Sequence, residues 1–290
     1  MPRMLWPSMR RAMKKSKIKL SANVLAPDAQ AVPGMLACTG PLEEVFPRLR
    51  SMGYEGVELI TVDPITLDLA ALDRLLAAWN LEMVAVNTGR LCGQMGLTLA
   101  DPDPEIRREA LSRTKEVMDF ASHWGAPINM GILRGRFREG VPHEDTMAWM
   151  VDGLKELCGY GAARNVPIAI ETVCFMQSNT VNTLAQAEEL IRRVDSPLLG
   201  VMYDFFQMYL EERDLCLTVK EHISRCLHVH FADSNRLAPG RGAIDWGRLL
   251  AALRDAGYQG PASIELRPEP DQFTAARQAA ETLLPLLAEW

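Results

Sequence analysis

The chain has 290 residues, 48% of them apolar and 23% charged, and a formal net charge of −6. That length is ordinary for one α/β barrel and sufficient to bury a large core. No apolar run is long enough to span a bilayer, and the acidic balance does not suit phosphate-backbone binding, so neither a membrane nor a nucleic acid is expected as a partner.

Residues 1–17 hold six basic residues and no acidic one, which gives the remainder a charge of −12 (−6 minus 6). With no apolar core or cleavage pattern, the segment reads as a disordered basic tail rather than a secretion signal. The catalytic domain is expected to span 18–290 as one unit. The six cysteines, 38, 92, 158, 174, 216 and 226, form no close pairs. Their scatter fits reduced thiols in a cytoplasmic protein better than a disulfide framework.

The first predicted strand is 18–24, followed by an amphipathic helix over 41–53. The second strand, 56–60, carries Glu58, which either faces a site or ties to a neighbouring strand. Helix 68–80 leads to strand 82–87, and helix 103–125 ends at a glycine, as a helix C-terminus should. Strand 127–133 runs into Arg134 and Arg136, whose guanidinium forks would suit an acidic or phosphorylated substrate or simply balance surface charge.

The last four strands are 166–171, 198–204, 226–231 and 261–265, with a helix over 246–257 before the last. Eight strands alternating with helices give a closed (β/α)8 TIM barrel. An open doubly wound sheet is disfavoured, because no glycine-rich phosphate loop follows the first strand.

These four strands end on or beside Glu171, Asp204, His230 and Glu265, spaced by 33, 26 and 35 residues. In a barrel such ends converge on one mouth. Three carboxylates so close require a compensating charge, and with one imidazole and no thiolate the set suits one divalent cation. Mn²⁺ is favoured, with Mg²⁺ or Co²⁺ as alternatives. His228 lies on the same strand face, two residues earlier. It is either a neutral core histidine or a support that orients a ligand.

The stretches "MGYEGVEL", "GVMYDFFQM", "HVHFADSNRLAPGRGAIDW" and "LRDAGYQGPASIEL" resemble the xylose-isomerase-like TIM barrels, in the sugar isomerase and epimerase branch of the ketose 3-epimerase type. The resemblance implies metal ligation by Glu171, Asp204, His230 and Glu265, with Arg236 touching the substrate. It also implies that Glu171 and Glu265 act as acid and base through a metal-bound cis-enediolate, and that the protein is a homodimer or homotetramer. The substrate would be a small sugar or sugar acid.

Two positions depart from the family. Gln177 stands where a glutamate is common and Gln207 where a histidine is common, both of which bind substrate oxygens there. Glutamine can hydrogen-bond a hydroxyl but cannot transfer a proton. The alternative reading is therefore a metal-dependent dehydratase of a keto-sugar or keto-cyclitol. An abasic-site endonuclease fits poorly with only five histidines, and a non-catalytic sugar-binding barrel does not need all four ligands.

Trp246 is expected to staple the helix that Asp245 begins, and Asp233 to act as a turn residue or ligand support. Phe205, Phe206, Met176 and Met208 are expected in packing or along the substrate wall.

Overall fold

The computed structural model describes residues 18–289. The proposed tail, 1–17, lies outside the described residues. Eight parallel strands pair in sequence order and close β8 onto β1.

The first half runs β1 (Leu20–Leu25), α1 (Leu42–Ser51), β2 (Gly56–Ile60), α2 (Leu69–Trp79), β3 (Glu82–Asn87), α3 (Gly89–Met95), α4 (Pro104–Ser122) and β4 (Ile128–Met130). Next come α5 (His143–Ala162), β5 (Ile168–Glu171), α6 (Leu184–Val194), β6 (Leu199–Asp204), α7 (Phe205–Glu211) and α8 (Leu215–His222). The chain closes with β7 (Cys226–Phe231), α9 (Trp246–Asp255), β8 (Ala262–Ile264) and α10 (Gln272–Ala288).

Local chemistry sets the helix ends. The Asp68 carboxylate accepts from Ala71 N at 2.9 Å to start α2, and Asn80, left-handed at φ 48°, stops it. Thr183 and Gln186 cap each other at the start of α6. Asp245 accepts from Arg248 N at 3.0 Å to begin α9. Trp246 is the first residue of that helix. It is buried, with its ring 5.4 Å from Phe231 and 6.2 Å from Phe205, and its indole donates to Asp233 Oδ2 at 2.9 Å.

Two strands, β4 and β8, stop short of the C-terminal ends that their apolar runs predict. β4 ends at Met130, because Gly131 turns the chain into a 3-10 turn over Ile132–Arg134. β8 ends at Ile264, which leaves Glu265 one residue beyond it. Pairing sets Asp204 beside His230, and His230 beside Ser263. The strand residues are nearly all buried on both faces, as expected when helices cover a parallel sheet.

Candidate metal centre

The barrel brings Glu171 on β5, Asp204 on β6, His230 on β7 and Glu265 just past β8 to one place. Each offers a ligand atom, and the four atoms all lie within 4.8 Å of one another. His230 Nδ1 is 3.5 Å from Glu265 Oε2 and 3.9 Å from Asp204 Oδ2. Asp204 uses Oδ1 to cap α7, accepting from Phe206 N at 2.9 Å and Gln207 N at 3.1 Å. Its Oδ2 and His230 Nδ1 are buried without a hydrogen-bond partner. Buried lone pairs left unsatisfied are costly. Two of them facing the same point, with two more carboxylates alongside, fit a single divalent cation held by oxygen and one imidazole.

The local field reflects that crowding. Burial, with the Asp204 carboxylate adding to it, raises the Glu171 carboxyl to about 7, and His230, Arg236 and Arg134 pull in the opposite direction. Arg236 is buried, and its guanidinium pairs with Glu265 and lies 2.8 Å from Asp204 Oδ2. That second contact is close enough for an ion pair but misaligned for a hydrogen bond. The same group lies over the Phe206 ring at 4.8 Å from its centroid.

The backbone of Arg236 is left-handed, at φ 64°. Its N–H donates to Asp233 O and its carbonyl accepts from Arg267 N, both at 2.8 Å. Asp233 in turn accepts from Ser234 N, Gly240 N, Ile244 N and the Trp246 indole. One buried carboxylate thus folds the loop that holds Arg236 against the centre.

Glu58 lies beneath the four ligands, a residue for which the sequence left two readings open. Its side chain is fully buried, and its Oε2 is 2.8 Å from Nε2 of both His228 and His230. Its Oε1 accepts from Asn87 at 2.9 Å and Asn129 at 2.7 Å. Burial opposes its charge, but the two histidines overcome it and hold the carboxyl well below the ordinary range. For His230, burial favours the neutral ring and Glu58 outweighs it, so its pKa is raised. Burial dominates at His228 and lowers its pKa. Glu58, His228 and His230 could also hold an ion by proximity. Their nitrogen–oxygen distances are those of hydrogen bonds, and Asn87 and Asn129 complete the carboxylate's shell.

The remaining predicted residues divide. Arg134, expected as a substrate fork, is fully buried beside the C-terminal ends of β4 and β5. Its Nη1 donates to Gly131 O and Glu171 O and its Nη2 to Thr180 O and Val181 O, at 2.6–3.1 Å. The 3-10 turn after β4 points the side chain inward, where it ties down main-chain carbonyls. Gln207 is buried, accepts from Cys174 N at 2.9 Å and lies 3.5 Å from Gln177 Oε1, while Gln177 is exposed. Phe205 and Met208 are packed in the core, Phe206 is half-buried and Met176 is exposed. Arg136 is exposed.

A cavity of about 600 Å³ opens at the other end of the barrel. It lies beside Leu199, Gly200, Arg225 and Tyr258 and includes none of the four ligands.

A profile described as "Xylose isomerase-like TIM barrel" matches residues 46–286. A probable ketose 3-epimerase from Synechocystis sp. is 26% identical over 238 residues, covering 78% of each chain. A fructoselysine 3-epimerase from Escherichia coli O157:H7 is 25% identical over 277 residues, 88% of this chain and 98% of that protein. In the crystal structure of a D-allulose 3-epimerase from Methylomonas sp. the same fold recurs, with TM-score 0.77 at 19% identity, over 93% of this chain and 98% of that one.

Proposed function

The chain belongs to the xylose isomerase-like TIM barrel family, and from that premise we propose that it is a metal-dependent isomerase or epimerase of a ketose or ketose derivative. One observation carries the reading: four ligand atoms lie within 4.8 Å of one another, with His230 Nδ1 and Asp204 Oδ2 buried and making no hydrogen bond. Mn²⁺ is the proposed ion. A divalent cation held by Glu171, Asp204, His230 and Glu265 would supply the positive charge that acidifies the carbon beside a carbonyl.

The chain's own groups move the proton. Glu171, with its carboxyl raised to about 7, has both protonation states accessible near neutrality. Glu265 is half-buried and bonded to Asn23 Nδ2 at 3.2 Å and to Arg236. Their strands are separated by β6 and β7 in the barrel order, so the two carboxylates approach a substrate carbon from different directions. One removes the proton and the other returns it, which inverts that carbon or moves the carbonyl. Arg236 turns its fork to the substrate oxygens, with Gln207 and Gln177 as hydrogen-bonding groups on the same side.

The test is incubation of Mn²⁺-loaded protein with a panel of ketoses in heavy water. Deuterium entering the carbon beside the carbonyl, together with an epimeric or isomeric sugar, is expected. An unsaturated product absorbing in the ultraviolet would instead mark the elimination reaction of a dehydratase. Bound metal with no exchange in any ketose would overturn the proposal.

A further inference from the structure

Glu58 is not one of the four ligands, yet its Oε1 accepts from two amides and its Oε2 lies 2.8 Å from two imidazole Nε2 atoms. The orientation of Asn87 is set independently, because its Oδ1 accepts from Gly89 N at 2.8 Å and so turns its amide N–H toward Glu58. Two amide N–H groups fill Oε1 and stabilise the charged form, so Glu58 is ionised at neutral pH, as a glutamate ordinarily is. A carboxylate only accepts, and therefore each imidazole Nε2 facing it carries hydrogen. In the neutral His230 ring this leaves Nδ1 as the lone pair, buried and directed toward Asp204 and Glu265.

We propose that Glu58 is a positioning residue for the cation site, fixing His230 in the Nε2–H form so that Nδ1 is offered as the ligand. His228 shares the same Glu58 oxygen and reaches Ser263 Oγ at 3.1 Å, which in turn lies 3.0 Å from Ser21 Oγ. The carboxylate is thereby held from β3 and β4 through the asparagines and from β7 through the imidazoles. Its orientation, and that of the His230 ring, is built into the barrel interior before any ion arrives. The negative charge also strengthens the imidazole as a donor, as carboxylate partners do for metal-bound histidines. This inference rests on the metal-dependent reading above.

The first test is proton and ¹⁵N NMR of the Mg²⁺-loaded wild-type protein. Downfield, slowly exchanging protons on Nε2 of both His228 and His230 are expected. A His230 proton on Nδ1 would overturn the proposal.

The second test is Mn²⁺ binding by calorimetry in E58Q and in E58Q/N87D. Glutamine at 58 would set its amide N–H against the Asn87 amide, which Gly89 holds in place. The second substitution supplies an acceptor there and moves the charge away from the imidazoles. Affinity is expected to fall about 10–100-fold in both variants, while the double variant recovers a thermal midpoint near that of the wild type. Affinity within about twofold of the wild type in either folded variant would overturn the proposal. Should neither variant fold, the wild-type NMR decides alone. Wild-type protein that fails to bind Mn²⁺ would sink the metal-dependent reading instead, which keeps the two failures apart.

Discussion

Asp204 separates the structural part of the centre from its chemical part, because its two oxygens do different things. Oδ1 caps α7 through Phe206 N and Gln207 N, while Oδ2 faces the ligand point. Asp204→Asn keeps a capping oxygen and removes the charge, whereas Asp204→Ala removes both. Loss of such a cap costs about 0.5–2 kcal/mol. In a chain of this size that corresponds to a fall of about 2–4 °C in melting temperature per kcal/mol.

Without metal, the alanine variant is therefore expected to melt a few degrees below the asparagine variant. The asparagine variant also relieves the repulsion that helps hold the Glu171 carboxyl at about 7. Metal behaves differently. An ion at about a hundred times its Kd adds about 2.7 kcal/mol to the wild type, a rise of about 5–10 °C at the same conversion. Both variants should lose most of that increment. The assay is differential scanning calorimetry with chelator and with Mn²⁺. A wild-type metal shift retained in Asp204→Asn would refute the ligand assignment, and equal metal-free melting of the two variants would refute the cap.

Further outcomes follow from other contacts. A side chain at Gly131 would place its Cβ inside van der Waals reach of Glu171 Oε2, so Gly131→Ala should lower Mn²⁺ affinity at least about 10-fold, read by calorimetry. Arg134→Met leaves four buried carbonyls short of a donor. It should cost about 3–5 kcal/mol in urea unfolding, with KM of the folded fraction changed less than about threefold.

Glu171→Gln should slow ketose turnover by about 10²–10⁴ in deuterium-exchange assays, the range for losing a general base. Because the Glu171 pKa is raised from 4.5 to about 7 in the folded, metal-free protein, its contribution to stability is complete below its unfolded pKa. It is lost as pH rises through about 7. Protons and metal then compete for the same oxygen. Mn²⁺ affinity should climb between about pH 5 and pH 7 and level off above, and a flat titration would contradict that competition.

Much of the centre was legible before the fold was known, because a barrel places successive strand ends around one mouth. Spacing alone therefore nominated Glu171, Asp204, His230 and Glu265, and the structure brings all four together. Glu58 was less legible. β2 and β7 are not neighbours in the sheet, and only closure of the barrel carries a residue 172 positions away onto His230. A glutamate in an apolar run signals burial but not its partner. The surroundings of Arg134 were less legible for a related reason. An arginine after a strand reads as a loop cation, and nothing in its neighbours shows that the turn begun by Gly131 directs it into the core. His228 and Asp233 likewise had two readings each, which only their hydrogen-bond partners could decide.

The most direct measurement is an anomalous-scattering map of crystals soaked in Mn²⁺. A single strong peak is predicted at about 2.0–2.3 Å from carboxylate oxygens of Glu171, Asp204 and Glu265 and from His230 Nδ1. A peak on the Nε2 side, among Glu58, His228 and His230, or no peak within reach of all four ligands, would contradict the account.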